Sequence, residues 1–223
     1  MNHYLKFGKR SVDVILAVFA LCILSPLFFV LALLIKVDSR GSIFFLQNRV
    51  GLEGKCFRIV KFRTMRIFED SYNPDGSEME NNSRVTFCGR YLRRWGLDEL
   101  PQLINVIRGD MSIVGPRPTL PYQVAKYSDA QRKRLAVRPG LTGLAQVMGR
   151  NSLTWEEKIK LDIDYVDTMS FSTDFIVIMK TLPVLFAPNI HEFTRADRIS
   201  EHQGSVLGNV GAEVKPRNDK ELN

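Results

Sequence analysis

Residues 14–35 read VILAVFALCILSPLFFVLALLI, a stretch without one charged side chain. At about 1.5 Å per residue, a helix of that length covers a hydrocarbon core of about 30 Å. Lys6, Lys9 and Arg10 ahead of it resemble the basic start of a signal peptide. The run is long for that role, however, and no A-x-A-like cleavage site follows it. A plain spanning helix meets a different difficulty. Lys36, Arg40, Arg49 and Lys55 follow the run, so both flanks are basic and a single span must export one of them. Ser25 and Pro26 offer a way out, with about a dozen apolar residues before them and nine after. Proline lacks the amide of its turn and kinks a helix, while a serine hydroxyl can return a bond to the freed carbonyl. Each arm reaches about half of the core. A re-entrant helix-break-helix over residues 1–36, with both ends cytoplasmic, satisfies charge and proline together. It is preferred over a span that tolerates its proline.

Outside this segment the chain changes character. It has 223 residues, 45% of them apolar, and a formal charge of +7. That is enough chain for one sizeable core, and the charge calls for an anionic partner: nucleic acid, lipid surface or phosphorylated substrate. Cys22, Cys56 and Cys88 lack C-x-x-C spacing and a nearby histidine pair, which argues against a disulfide framework or structural zinc. No nucleic-acid-binding motif is present.

The expected fold class is α/β, mostly helical, with one small β-hairpin. Residues 42–47 and 57–62 are the strands, joined through the turn residues Gly51 to Gly54. Residues 69–83, centred on Asn73-Pro-Asp-Gly76, read as a long loop of the kind that covers a substrate. Leu97, Leu100, Leu103, Ile104 and Ile107 recur at helical spacing and predict an amphipathic helix over 98–108, ended by Gly109. A second helical pattern covers 154–166. The apolar segment 175–186, interrupted by Pro183, is too short to span and reads as core or interfacial. Residues 37–199 are thus expected to form a compact cytoplasmic domain with interfacial amphipathic helices. The polar stretch 200–223 reads as a disordered tail.

Chemistry has few places to reside. There is no metal-ligand cluster, phosphate loop or serine elbow, and His3, His191 and His202 lie near the ends. What stands out is Asp98-Glu99 at a helix start, amid arginines. A capping aspartate explains Asp98 cheaply. The same geometry also suits anion chemistry, because helix-terminal amides, arginines and Mg²⁺ let a phosphate approach a carboxylate. Lys61-Phe-Arg63, Gly115-Pro-Arg117-Pro118 and Val137-Arg138-Pro139-Gly140 each place a cation in a stiff turn, and arginine's planar fork pairs with phosphate.

The run from Trp95 to Pro118, WGLDELPQLINVIRGDMSIVGPRP, resembles the signature of the bacterial sugar transferases, the monotopic polyprenyl-phosphate phosphoglycosyl transferases. Lys61-Phe-Arg-Thr-Met65, Arg138-Pro-Gly-Leu-Thr-Gly143, Ser25-Pro26 and Asp164-Tyr-Val166 match further blocks, from about Lys6 to Leu185. The resemblance is to the small members, which are little more than the catalytic domain. It implies that Asp98 attacks the β-phosphate of a UDP-sugar, releases UMP and passes the phosphosugar to undecaprenyl (polyprenyl) phosphate. It further implies Mg²⁺ near Asp98, Glu99 in support, and Arg117, Lys61, Arg63 and Arg138 as phosphate ligands. The site would face the cytoplasm at the bacterial inner membrane. The sugar stays open, from diacetylbacillosamine-like to galactose or glucose, and so does a homo-oligomeric state. From another class, a membrane-anchored protein that binds anionic lipid or phosphate without catalysis fits the same arginines.

Overall fold

In the computed structural model of the chain, residues 8–67, 70, 83–149 and 152–186 are described, the last with side chains to residue 183. Most of the expected loop 69–83 and all of the tail 200–223 lie outside them.

The apolar run becomes helix α1, Lys9–Asp38, among the described residues the one helix long and apolar enough to cross a membrane. The expected break at Ser25 and Pro26 is instead a stretch of continuous helix, with Pro26 inside it. The local reason is visible. Proline at 26 frees the carbonyl four residues back, and the Ser25 hydroxyl donates to that Cys22 carbonyl at 2.9 Å. Helical geometry therefore survives the missing amide.

Strand β1 (Phe44–Val50) pairs antiparallel with β2 (Cys56–Phe62), from Phe44 opposite Phe62 to Val50 opposite Cys56. The first strand runs three residues past the expected end, because the ladder continues through Asn48 and Arg49 to the turn. Helix α2 (Phe87–Arg94) follows. The predicted helix over 98–108 is two elements: a 3₁₀ segment, Leu97–Gln102, and α3, Leu103–Arg108. Pro101 sits in the 3₁₀ part, and Gly109 ends α3 in the left-handed region at φ +95°, as a helix-terminating glycine does. Short parallel strands β3 (Ser112–Val114) and β4 (Gly140–Thr142) come next, with α4 (Pro121–Val124) and α5 (Asp129–Arg132) between them. The chain continues with α6 (Leu144–Met148), α7 (Trp155–Thr168) and α8 (Phe171–Phe186). Thr154 and Glu157 form a reciprocal cap on α7.

Helix α1 is built into this body along its length. Ala17 packs with Ile59, Leu103, Val106 and Met111, while Leu31 and Ile35 pack with Phe62 and Leu92. At its start Lys9 donates to Asp174 at 2.6 Å and to the Val114 carbonyl at 3.1 Å. Asp13, the one acid of the helix before its last residue, is buried and accepts from the Ser112 hydroxyl and the Ile113 amide. At the other end Asp38 accepts from the Cys88 amide at 2.8 Å. The opposite side of α1 leaves Ile15, Phe19, Ile23, Phe29, Leu33 and Val37 exposed.

Candidate active site

The 3₁₀ turn that carries the acidic pair is held from below. Asn105 is fully buried; its Oδ1 accepts from the Val60 amide at 2.9 Å and its Nδ2 donates to the Arg58 carbonyl at 2.8 Å. One side chain thus hooks α3 to strand β2, and β2 carries Lys61 to the same place. The position before the turn is Gly96, at φ +65°, and no side chain caps it. Asp98 is therefore not the helix cap that its sequence position allows. Among the described residues none donates a hydrogen bond to its carboxylate.

Glu99 is the opposite case. Arg117 grips it with both guanidinium arms, Nη2 to Oε1 at 2.6 Å and Nη1 to Oε2 at 3.1 Å. Lys61 Nζ reaches the same Oε1 at 2.9 Å. Burial alone would raise the Glu99 pKa, but the two cations outweigh it and hold the carboxyl well below its ordinary range. Asp98 is pushed up to about 6, first by burial and then by the neighbouring Glu99 charge, against the pull of Lys61, Arg93 and Arg117. The pair is thus divided by its surroundings. One carboxylate is locked among cations and the other is left available for chemistry or for a metal. Mg²⁺ binds through one or two carboxylates plus substrate phosphates, and a single available carboxylate such as Asp98 meets the protein's part of that requirement. Among the described residues no group of three or more metal-type side chains exists.

The loop that carries Arg117 is clamped at both ends. Gly115 donates to the Thr142 carbonyl at 2.9 Å, and Gly140 donates to the Pro116 carbonyl at 2.9 Å. A Cβ on Gly140 would lie 2.1 Å from the Gly115 nitrogen, so only glycine permits this crossing. Thr119 accepts from the Val50 amide at 2.9 Å, which ties the loop to the hairpin. Beneath it lies Arg134, only 4% exposed, donating to the Arg117 carbonyl at 2.9 Å. The Arg134 guanidinium is paired with Asp162, bonded to the Tyr127 hydroxyl, and set over the Tyr127 and Trp155 rings at 5.5 and 5.9 Å. Burial pushes the Asp162 carboxyl up to about 6 although Arg134 draws it down.

Of the expected site residues, the structure brings together Asp98, Glu99, Lys61 and Arg117. Two others are engaged with backbone carbonyls. Arg63, expected as a phosphate ligand, is buried and donates to the Ile35, Ser39 and Arg40 carbonyls, where it caps the end of α1. Arg138, expected beside it, donates through Nε to the Gly109 carbonyl at 2.9 Å, at the end of α3. Sequence reading missed Arg93, whose charge acts on Asp98 while its Nε donates to Thr64 at 2.8 Å. It also missed the Arg134–Asp162 pair. For Arg93 the signal was present but ambiguous, since Arg90, Arg93 and Arg94 look alike until the register of α2 is known.

Comparison with known proteins gives the family. The sequence profile of the family described as bacterial sugar transferase matches residues 4–188. The exopolysaccharide production protein ExoY of Rhizobium meliloti (strain 1021) is 41% identical over 192 residues, covering 80% of this chain and 85% of that protein. A UDP-glucose:undecaprenyl-phosphate glucose-1-phosphate transferase of Caulobacter vibrioides is 43% identical over 186 residues, 79% of this chain and 69% of its own length. A protein of the same description from Escherichia coli (strain K12) is 37% identical over 182 residues, 78% of this chain but 39% of its own length. With the profile spanning most of the chain and relatives above 40% identical over about four fifths of it, the chain belongs to the bacterial sugar transferase family and is an enzyme of the phosphoglycosyl transferase type.

Proposed function

We propose that the enzyme transfers a sugar 1-phosphate from a UDP-sugar to undecaprenyl (polyprenyl) phosphate, through a phosphosugar held covalently on Asp98. The observation that carries this reading is the division of the acidic pair: Glu99 is bound by Arg117 and Lys61, and Asp98 beside it is uncapped and without a donor among the described residues. In the first step an Asp98 oxygen attacks the β-phosphorus. The bond from that phosphorus to the bridging oxygen breaks, and UMP leaves with the oxygen. In the second, a phosphate oxygen of the polyprenyl phosphate attacks the same phosphorus, the acyl-phosphate bond breaks and the Asp98 carboxylate is restored. Dividing the transfer lets two anionic substrates react in turn. Arg117 and Lys61 have charge-assisted bonds to exchange from Glu99 to the donor's phosphates, so Glu99 keeps them aimed before substrate arrives. Mg²⁺, held by Asp98 and the diphosphate, would neutralise charge on the leaving group.

The placement of α1 supports a monotopic setting on the cytoplasmic face of the bacterial inner membrane. One end of the helix is bound to Asp174 and Val114 and the other to Cys88, and all three belong to the same body. A spanning α1 would have to draw that body, with its charged site, into the bilayer. A helix embedded on its exposed apolar side, with both ends on one face, requires no such burial.

The relatives' names place UDP-glucose first on a donor panel, and an exopolysaccharide is the first pathway to examine. UDP-galactose and UDP-diacetylbacillosamine complete the panel. UMP release with undecaprenyl phosphate is the readout. Asp98→Asn should fold as the wild type does, because no cap is lost, and turnover should drop about a thousand-fold or more. Substantial turnover by this variant would remove Asp98 as nucleophile. No UMP release from any donor, with retained affinity for anionic lipid, would favour the binding protein without catalysis.

A further inference from the structure

Helix α2 has two unlike faces. Gly89 and Leu92 point inward, Leu92 against Leu31, Ile35 and Phe62. Phe87, Arg90, Tyr91 and Arg94 recur at the i, i+3, i+4, i+7 spacing of one helix face, and all are exposed. Phe87 is 59% exposed and Tyr91 52%, with their rings edge-on at 5.2 Å and the Arg90 guanidinium 5.6 Å from the Phe87 ring. Trp95, one residue past the helix, is 38% exposed. The helix contains three arginines and no acid. A solvated helix ordinarily shows mixed charges outward. Large aromatics with cations alone suit an apolar chain that ends in an anionic head.

The location of α2 narrows the occupant. Its first turn lies on the end of α1: the Cys88 amide donates to Asp38 and the Cys88 thiol approaches the Leu34 carbonyl. Leu34 and Val37 of α1, at and beside these contacts, are exposed, as are Phe87 and Tyr91 of α2. At the other end the chain passes from Arg94 through Trp95 and Gly96 to the Asp98 turn. The face therefore leads from the apolar anchor to the nucleophile.

We propose that this outer face of α2 binds the polyprenyl phosphate acceptor, with the isoprenoid chain along Phe87, Tyr91 and Trp95. Its phosphate meets Arg94, the exposed cation nearest the Asp98 end. This rests on the two-step transfer proposed above and assigns the acceptor a place in it: the lipid phosphate waits at the end of α2 that leads to the Asp98 turn until the phosphosugar has formed.

The test uses the full chain in detergent micelles with the UDP-sugar that supports wild-type turnover. Phe87→Ser/Tyr91→Ser and Arg94→Gln should each raise KM for undecaprenyl phosphate about ten-fold. Adduct formation without acceptor, and KM for the UDP-sugar, should stay as in the wild type. Phe87→Leu/Tyr91→Leu keeps the surface apolar and should retain the wild-type acceptor KM. If the serine pair does not fold, Arg94→Gln decides. An unchanged acceptor KM in Arg94→Gln overturns the proposal, as does an equal loss of adduct formation, which would mean that α2 only supports Asp98. A third result overturns it too: weaker binding of the serine pair to anionic vesicles free of polyprenyl phosphate, with the acceptor KM unchanged, since the face would then be a general bilayer contact. Absence of any adduct in the wild type is a different failure, that of the two-step reading itself.

Discussion

Glu99 accepts three charge-assisted hydrogen bonds, two from Arg117 and one from Lys61, and this makes Arg117 a shaped ligand rather than a diffuse charge. Lysine at 117 would keep the charge but lose the planar fork. Arg117→Lys should therefore lower kcat/KM about ten-fold or more, equivalent to about 1.4 kcal/mol in the transition state. Near-wild-type kinetics would mean that the guanidinium serves Glu99 alone. At this scale the sequence names the acidic pair, Lys61 and Arg117, and the structure brings those four together. Arg63 and Arg138 carry the same chemistry in similar stiff turns, yet their guanidinium groups finish the ends of α1 and α3. Whether an arginine meets a phosphate or a helix-terminal carbonyl depends on which helix ends beside it. Spacing along the chain does not contain that information.

The elements matter as supports. The Arg117 loop stands on Arg134, whose partner Asp162 comes from α7, twenty-eight positions away. Removing one member of a buried ion pair leaves the other charge stranded, at a cost of about 3–5 kcal/mol. Arg134→Met should destabilise the enzyme by that order in thermal unfolding and lower kcat. Arg134→Met/Asp162→Leu should recover much of the stability, since no lone charge remains, yet kcat should stay low because the Arg117 carbonyl has lost its donor. Recovery of both together would make Arg134 a purely structural residue. The hairpin, α7 and the glycine end of α3 could be read from turn residues, a capping box and apolar period. The split of the predicted helix into a 3₁₀ turn and α3 could not. Pro101 is acceptable in the first turn of either form, and the choice is set by Asn105 hooking α3 onto β2.

For the whole molecule the decisive feature is α1, continuous through Pro26 and bonded to one body near both of its ends. The basic flanks lead the sequence to expect both ends of the segment on one side of the membrane, and the contacts at Lys9 and Asp38 tie both ends to one body. A helical break was not needed, since Ser25 satisfies the Cys22 carbonyl. Single cysteines at Asn2 and Ser42, in a background without native cysteines, should resist a membrane-impermeant thiol reagent on intact spheroplasts. Replacing Ser25 and Pro26 with alanine and leucine should leave both sites protected, since the contacts at Lys9 and Asp38 rather than a break hold the two ends together. Labelling of Asn2 in the parent would mean that the segment spans. In the two-step transfer the protein itself carries the sugar phosphate between two substrates. Intact-protein mass spectrometry of the wild type, incubated with Mg²⁺ and its UDP-sugar but no acceptor, measures this directly. A mass increase of one phosphosugar is expected, mapped to Asp98, absent in Asp98→Asn and discharged by undecaprenyl phosphate. Full turnover with no adduct at any quench time, and UMP released only when the acceptor is present, would contradict it.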